Sequence, residues 1–291
     1  MTVLAIQYFR NRILFMNGQS TPDNTSLFNV RATHNPHRWL LSVLEDICVG
    51  PEGNTFLFGG VGMASSIIAL ERTTGRPAIW ATAQYLSYAR PGAVVDLDVH
   101  IPVGGKYTTQ ARVIGHVDDK EIFTVNAAMG SRPGDISSQW VEAPDAPVPE
   151  SCKLREHWRK NVTSLHHQLE VRMVKGRQGL ECVGGDESDD GHVVMWVRPK
   201  NHATEIDSGV LAVIADFIPS AIGHAIGRDA GGNSLDNTVR FRKIVPTKWV
   251  LCDIQIQGIH GGFVHGQMQL FSETGELMAT ASQSLILRIR S

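Results

Sequence analysis

The sequence predicts an α+β protein built from two similar halves. Two long apolar segments, residues 59–75 and 208–227, have the composition of buried helices. Each is followed by stretches in which apolar and polar residues alternate, a pattern typical of strands with one buried face. Because the same order of elements occurs twice, we expect a duplicated unit in which a long helix packs against an antiparallel sheet.

The first predicted helix is GGVGMASSIIALERTTG, which begins at Gly59 and Gly60 and stops at Gly75. Glycine readily adopts the left-handed backbone conformation that ends many helices, so Gly75 marks the C-terminus. The second predicted helix is SGVLAVIADFIPSAIGHAIG, with Ser208 as its candidate N-cap and Gly227 as its stop. Both segments are so apolar that we expect each helix to be buried on more than one side.

A carboxylate, Asp216, interrupts the apolar run of the second predicted helix. Pro219 follows three residues later and cannot donate a hydrogen bond to the carbonyl of Ala215. The sequence leaves two interpretations of this segment open: a kink beside Asp216, or a helix that begins near that residue.

Strand patterns in the two halves match at a constant offset. VVDLDVHI, residues 94–101, and WVLCDIQIQ, residues 249–257, occupy corresponding places, and turns at DDK and TGE follow them. Three identical residue pairs lie 155 positions apart: Pro91 and Pro246, Asp98 and Asp253, and Glu121 and Glu276. We therefore expect an N-terminal half at 1–130, a connecting segment at 131–165 and a C-terminal half at 166–291.

Composition restricts the class of partner and the compartment. The chain of 291 residues carries 27 Lys and Arg against 29 Asp and Glu, a balance that argues against general nucleic-acid binding. Its four cysteines are far apart and form no CxxC pair, which predicts reduced thiols in a cytoplasmic protein. We expect no metal and no cofactor.

No targeting or membrane segment is predicted. The N-terminal stretch MTVLAIQYFRNRILFMNG is apolar, but Arg10 and Arg12 lie inside the run, unlike the charges of a signal peptide, which precede it. No stretch approaches about 18 uncharged apolar residues, so we expect no membrane span.

The chain resembles the acyl-CoA thioesterase II family of the thioesterase-like superfamily. In the first half the resemblance rests on FLFGGVGMASSIIALERT, the ARPG turn and EIFTVNAAMG. In the second half it rests on LAVIADFIPSAI, NSLDNTVRFRK, WVLCDIQIQGIHGGFVHGQM and GELMATASQSLILR. The resemblance covers most of residues 50–290. It implies a tandem, or double, hotdog fold, in which each half is a long central helix wrapped by a curved antiparallel β-sheet.

The resemblance also implies an enzyme, a hydrolase that splits fatty or other acyl-CoA thioesters into free acid and CoA. Family members use an Asp, a Thr or Ser, and a Gln to hold the attacking water, and these roles fall on Asp216, Ser234 and Gln283. The chain departs from common members by Ser in place of Thr, by Pro219, and by AQYLSYARPG where His and Phe residues are usual. These departures bear on the substrate range more than on the reaction.

The chemistry of these residue types suits that role. A carboxylate in an apolar pocket has a raised pKa and is a stronger base than a solvated one. A hydroxyl and an amide can orient the same water, which is positioning and not nucleophilic catalysis. Backbone N–H groups at the start of the first helix, at Gly59 and Gly60, are the candidates for binding the oxyanion.

The repeat predicts one site per chain. At an offset of 155 all three polar residues of the expected triad have apolar counterparts in the first half, namely Val61, Ile79 and Ala128. We therefore expect the water-holding residues in the second half only, with the first half as pocket wall.

Contacts with the CoA phosphates are a weaker expectation. Arg90, Arg240, Arg242 and Lys243 are the candidates, although solvated surface charge is the commoner fate of such residues. We also expect a homo-oligomer, because further pairing would cover sheet edges that otherwise invite association.

Two other functions stay open from the sequence. A non-catalytic acyl-CoA-binding protein would keep the helix and the pocket without turnover. A hotdog enoyl-CoA hydratase usually pairs an Asp with a His five residues later. That position is Ala221 in this chain, and the nearest histidine is His224, so the hydratase is the less favoured alternative.

Overall fold

The computed structural model describes residues 26–155 and 163–290. The apolar N-terminal stretch considered above therefore lies outside the described residues. The first part of the chain forms short strands, one long helix and four long strands. These elements are β1 (Val30–Ala32), β2 (Arg38–Ser42), a 3₁₀ turn (Glu45–Ile47), β3 (Cys48–Val49), β4 (Phe56–Leu57), α1 (Gly59–Thr74), β5 (Ala78–Tyr85), β6 (Val94–Gly104), β7 (Thr108–Val117) and β8 (Lys120–Gly130).

The second part repeats this plan with a more divided helical region. Its elements are a 3₁₀ turn (Pro149–Ser151), β9 (Lys153–Leu154), α2 (Leu165–Gln168), β10 (Leu169–Lys175), a 3₁₀ turn (Gly179–Cys182), β11 (His192–Pro199), α3 (Ser208–Ala215), a 3₁₀ turn (Ile218–Ala221), α4 (Ile222–Ile226), β12 (Ala230–Ser234), β13 (Asp236–Phe241), β14 (Val250–His260), β15 (Phe263–Ser272) and β16 (Leu277–Ile289).

One antiparallel sheet of 14 strands runs through the described part of the chain. Its order is β1-β2-β6-β7-β8-β5-β13-β16-β15-β14-β11-β10-β9, and β12 adds to β16. The order on one side of the β5–β13 junction mirrors the order on the other. At the junction Thr82 lies opposite Thr238, and their hydroxyl oxygens are 3.0 Å apart.

This junction corrects the offset inferred from the sequence. Thr82 and Thr238 are 156 positions apart, whereas α1 and α3 begin 149 positions apart, at residues 59 and 208. The difference arises because the second half places a 3₁₀ turn, α4 and β12 between its helix and its junction strand. The apolar counterparts of the three predicted site residues are therefore Ile67, Ala78 and Ala127, in place of Val61, Ile79 and Ala128.

The first helix has the predicted bounds. α1 ends at Thr74, and Gly75 follows in the left-handed conformation with φ of 66°. Its middle is buried, including Met63, Ile67 and Leu70, which are fully inaccessible to solvent. The helix therefore forms part of the core, as its apolar composition predicts.

The second predicted helix is interrupted beside Asp216, which is the first of the two interpretations that the sequence leaves open. α3 stops at Ala215, a 3₁₀ turn containing Pro219 follows, and α4 continues to Ile226 before Gly227 in the left-handed conformation. Pro219 has no N–H for the carbonyl of Ala215, and its ring would crowd that carbonyl, so the α-helix cannot continue. Asp216 is consequently placed at the C-terminal end of a short helix.

The predicted N-cap of this segment is wrong. Asp207, not Ser208, caps α3, because its carboxylate accepts a hydrogen bond of 2.8 Å from the N–H of Val210. The Ser208 hydroxyl instead donates to the carboxylate of Glu71 at 2.9 Å. This bond joins the last turn of α1 to the first turn of α3.

By length and composition alone, the segment Ser208–Ile226 could cross a membrane. Its position in the fold is that of a core segment, because 72% of its most apolar window is buried inside the protein.

The connecting segment packs on the outer face of the second half. The indole N–H of Trp196 donates to the carbonyl of Pro147 at 3.0 Å, and Gln139 bonds to the carbonyl of Gly275 at 2.9 Å. Part of the segment also joins the sheet, since β9 pairs with β10. A second apolar cluster lies there, formed by Cys152, Val194, Trp196, Trp249, Leu251, Phe271 and Leu277.

α1 and α3 approach each other closely at Gly60. A Cβ atom added to Gly60 would lie 2.8 Å from Cβ of Asp216 and 3.0 Å from the carbonyl oxygen of Val213. Both neighbours belong to or adjoin the backbone of another buried element, so neither can move away easily. Glycine is therefore required at this position.

We expect Gly60→Ala to lower the free energy of unfolding by about 1–3 kcal/mol, the usual cost of overpacking a core. Thermal unfolding measures this effect, with Gly104→Ala as the matched control, because a Cβ at Gly104 meets nothing within 4 Å. Equal melting temperatures for both variants would show that the helices are not in close contact at Gly60.

Candidate active site

The carboxylate of Asp216 is the centre of the candidate site. Asp216 directly follows α3 and is only 3% exposed. Its Oδ2 atom accepts a hydrogen bond of 2.6 Å from the backbone N–H of Gly60, in the first turn of α1. The negative group therefore lies at the positive end of the α1 dipole.

The structure brings the other two predicted triad residues to the same carboxylate. Gln283, on β16, donates from Nε2 to Oδ1 of Asp216 and to Oγ of Ser234, the latter at 3.2 Å. Ser234, at the end of β12, donates its hydroxyl to Oδ1 of Asp216 at 3.4 Å. Residues 67 positions apart in the sequence thus form one buried polar cluster.

Burial determines the acidity of this carboxyl group. It raises the pKa of Asp216 from 3.8 to about 7, although hydrogen bonds from Gln283, Gly60 and Ser234 oppose the rise. A carboxylate with a pKa near neutrality can both take up and release a proton under ordinary conditions. The cluster is therefore suited to general base catalysis.

The predicted oxyanion role of Gly60 is contradicted by its hydrogen bond. Its N–H is directed at the Asp216 carboxylate, so it supports the base and is not free for a substrate oxygen. Gly59 lies against the ring of Tyr85, because an added Cβ would be 2.9 Å from Cζ of that tyrosine and 3.0 Å from Oδ2 of Asp216.

Two polar residues next to the cluster were missed by the sequence analysis. The hydroxyl of Tyr85, both amide atoms of Asn237 and Oε1 of Gln283 are buried, and none has a hydrogen-bond partner among the described residues. Burial, followed by the charge of Asp216, raises the pKa of the Tyr85 hydroxyl well above its ordinary value. A side-chain interaction with Asn237, outside the geometry of a regular hydrogen bond, opposes the rise. The hydroxyl is therefore protonated at neutral pH.

A sequence signal for these residues exists. Asn237 lies on the same strand face as Val239, and Tyr85 lies on the same strand face as Ala81 and Ala83. Val239, Ala81 and Ala83 are fully buried. Polar side chains in an inward-facing row are unusual in a core and point to a special role.

The four predicted CoA-binding cations differ in their surroundings. Arg242 and Lys243 both pair with Glu276, and Arg242 also donates to the carbonyl of Ser138. Arg240 is exposed on the outer face of β13. No hydrogen bond or ion pair among the described residues joins these three cations to the Asp216 cluster.

Arg90 is closer to the cluster along a chain of contacts. Its guanidinium lies 6.0 Å from the ring centre of Tyr88 and donates to the carbonyl of Thr55 at 2.9 Å. The hydroxyl of Tyr88 accepts a hydrogen bond of 2.5 Å from Asn233, the neighbour of Ser234.

Among the described residues, no hydrogen bond joins Asp216 to His224, the histidine nearest to it in the sequence. Nδ1 of His224 lies 3.4 Å from Nε of Arg177, and burial followed by that cation lowers the pKa of the imidazole. In the described part of the chain, no group of three or more His, Cys, Asp or Glu residues is placed to hold a metal ion.

Comparisons with known proteins show the family to which the chain belongs. The family described as acyl-CoA thioesterase C-terminal domain matches residues 141–287, about half of the chain. A candidate thioesterase from Novosphingobium aromaticivorans is 33% identical, with 92% of this chain and 100% of that chain covered and a TM-score of 0.80. The chain belongs to the acyl-CoA thioesterase family. No curated protein sequence matches it.

More distant structures share the fold of this thioesterase-family chain. A hot dog fold protein from Alicyclobacillus acidocaldarius has 18% identity and a TM-score of 0.78, with 94% of this chain and 99% of that chain covered. An acyl-CoA thioesterase II from Mycobacterium marinum has 20% identity and a TM-score of 0.67, with 90% and 97% covered. The large antiparallel sheet around few helices is thus of the hotdog type.

The raised pKa of Asp216 predicts how stability depends on pH. Because the pKa is higher in the folded state, folding retains a proton that the unfolded chain releases between about pH 4 and about pH 7. The wild-type protein should therefore lose stability relative to Asp216→Asn across this window, by roughly 1.4 kcal/mol per pH unit. Chemical unfolding of both proteins at about pH 5 and about pH 7 measures the change. The same stability difference at both values would show that the pKa is not raised.

Proposed function

We propose that this chain is an acyl-CoA thioesterase that hydrolyses fatty or other acyl-CoA thioesters to free acid and CoA. The observation that carries the proposal is the buried carboxylate of Asp216, held by Ser234 and Gln283 and tuned to a pKa of about 7. Membership of the thioesterase family supports the reaction type.

In the proposed reaction, Ser234 and Gln283 orient a water molecule next to Asp216. The carboxylate takes a proton from this water as its oxygen forms a bond to the thioester carbonyl carbon. The resulting oxyanion collapses, the bond from carbon to sulfur breaks, and the thiolate of CoA takes the proton back from Asp216. Base and acid are thus one group, which a pKa near neutrality permits.

We further propose a tandem double hotdog with the N-terminal half at 1–130, the connecting segment at 131–165 and the C-terminal half at 166–291. The mirrored strand order around β5 and β13 supports this division. The outer strands β1 and β9 end the sheet, and pairing of chains there would form the proposed homo-oligomer. A cytoplasmic location is supported by four buried cysteines without disulfides.

Substitution of the triad should abolish turnover while the fold is kept. We expect Asp216→Asn to lower kcat at least 10²-fold, and Ser234→Ala and Gln283→Ala to lower it about 10-fold or more, because each loses a group that holds the water. Release of free CoA from acyl-CoA of several chain lengths, read with a thiol reagent, is the measurement.

Asp98→Asn is the matched control, since Asp98 pairs with Arg38 and His116 on the outer face of the first half. Full activity of a folded Asp216→Asn protein would refute the assignment. Tight acyl-CoA binding without thiol release by the wild-type protein would favour the non-catalytic binder.

The pKa of Asp216 also sets the expected pH profile. Since the base must be ionised to accept a proton, kcat/KM should fall about 10-fold per pH unit below about pH 7 and level off above it. Ser234→Ala removes a hydrogen bond that lowers this pKa, so the acidic limb of the variant should move to higher pH. An acidic limb near the ordinary carboxyl pKa would contradict the role of burial.

Among the four cations, we propose Arg90 as the leading contact for the CoA phosphates. It is joined through Tyr88 and Asn233 to the neighbourhood of Ser234, whereas Arg242 and Lys243 are paired with Glu276. Arg90→Ala should raise KM about two- to fivefold with little change in kcat, because a phosphate contact is the same in ground and transition states. Arg112→Ala, an exposed arginine on β7, is the control. An unchanged KM at low ionic strength would exclude Arg90.

A further inference from the structure

We propose that Tyr85 and Asn237 donate hydrogen bonds to the carbonyl oxygen of the bound thioester and to the oxyanion formed from it. This inference rests on the thioesterase function proposed above. It replaces Gly60 as an oxyanion donor by two side chains from the two strands of the central junction.

The three strands at the junction place these residues in one row. β13 pairs with β5 on one side, where Asn237 lies opposite Ala83, and with β16 on the other, where Thr238 lies opposite Ser282. Continuing the β13–β16 pairing by one residue places Asn237 opposite Gln283. Since alternate residues of a strand share a face, Tyr85 lies on the same inward face two positions from Ala83.

The row also faces the carboxylate of Asp216. The Tyr85 ring and Oδ2 of Asp216 both lie about 3 Å from the position that a Cβ of Gly59 would occupy, at 2.9 and 3.0 Å respectively. Gln283 contacts Asp216 directly. Tyr85, Asn237 and the water-holding cluster therefore border the same small region.

The donors of this region divide into two groups. The N–H of Gly60, the hydroxyl of Ser234 and the Nε2 of Gln283 are directed at Asp216. The Tyr85 hydroxyl and Nδ2 of Asn237 are buried, and neither makes a hydrogen bond of regular geometry among the described residues. The two side chains are close enough for Asn237 to oppose the rise in the pKa of Tyr85, so they lie side by side. An attacking water needs the first group, and the carbonyl oxygen that it activates needs donors of its own.

A buried donor that makes no hydrogen bond lowers the stability of the folded state. Two such donors side by side therefore indicate a binding site for an acceptor. A phenylalanine at 85 and a leucine at 237 would fill similar space without leaving polar atoms unsatisfied. Asn237 is completely inaccessible to solvent. A bound thioester oxygen would satisfy the hydroxyl of Tyr85 and the amide N–H of Asn237 at once.

The chemistry balances with these two donors. As water adds to the carbonyl carbon, Asp216 receives its proton and the negative charge moves to the carbonyl oxygen, next to Tyr85 and Asn237. When the carbon–sulfur bond breaks, that oxygen becomes a carbonyl again and the sulfur leaves with the proton from Asp216. Neither Tyr85 nor Asn237 changes its protonation state.

Tyr85→Phe and Asn237→Leu test the inference by removing donors with little change in volume. We expect each to lower kcat roughly 10²-fold or more, as loss of one oxyanion donor does elsewhere, while the acidic limb of the pH profile stays near that of the wild-type protein. Tyr107→Phe is the matched control, since Tyr107 lies at the β6–β7 turn, beyond the C-terminal end of α1.

Two readouts separate this role from a structural one. Tyr85→Phe should melt at the same or a higher temperature than the wild-type protein, because it loses an unsatisfied hydroxyl. It should bind a ketone analogue of acyl-CoA, with a methylene in place of the thioester sulfur, about 3- to 10-fold more weakly. Its affinity for an alkyl-CoA thioether, which lacks the carbonyl oxygen, should be unchanged.

The outcomes also separate the two proposals. Loss of activity in Asp216→Asn, with full activity in both Tyr85→Phe and Asn237→Leu, would overturn the donor role and leave the thioesterase standing. Equal weakening of the ketone and the thioether would likewise overturn it, because the variants would then disturb the pocket in general. A wild-type protein that releases no thiol from any acyl-CoA would overturn both.

Discussion

The hydrogen bond between the Gly60 N–H and the Asp216 carboxylate is the contact on which the rest of the site depends. It joins the N-terminus of α1 to the C-terminal end of α3, so the carboxylate lies between opposite ends of two helix dipoles. The positive end stabilises the charge, while the negative end and burial oppose it. Only a glycine permits this approach, because any side chain at Gly60 would meet the backbone of the other helix.

Much of this arrangement could be predicted from local sequence. The glycines at both ends fixed the bounds of α1, and alternation located the long strands of both halves. The three residues proposed to hold the water, Asp216, Ser234 and Gln283, came from resemblance to a family whose motifs occur in the same order in this chain. In the structure the three side chains contact one another.

The remainder depends on contacts between distant parts of the chain. Asp207 and Ser208 are both suitable N-cap residues, and Asp207 takes this position in the structure. The sequence does not show that the Ser208 hydroxyl donates a hydrogen bond to Glu71 of α1. Tyr85 and Asn237 acquire meaning only when β5 pairs with β13, about 150 residues later in the chain. The offset of 155 was inexact because Pro219 divides one helix and lengthens the path to the next strand.

The β5–β13 junction makes the two halves interdependent. Gly60 and Tyr85 come from one half, and Asp216, Asn237 and Gln283 come from the other, so the site exists only while the central strands stay paired. A molecule bound there would contact residues on both sides of the β5–β13 junction. Its binding would stabilise the paired state by an amount that grows with the logarithm of its concentration above Kd, so occupancy by substrate would itself hold the tertiary structure together.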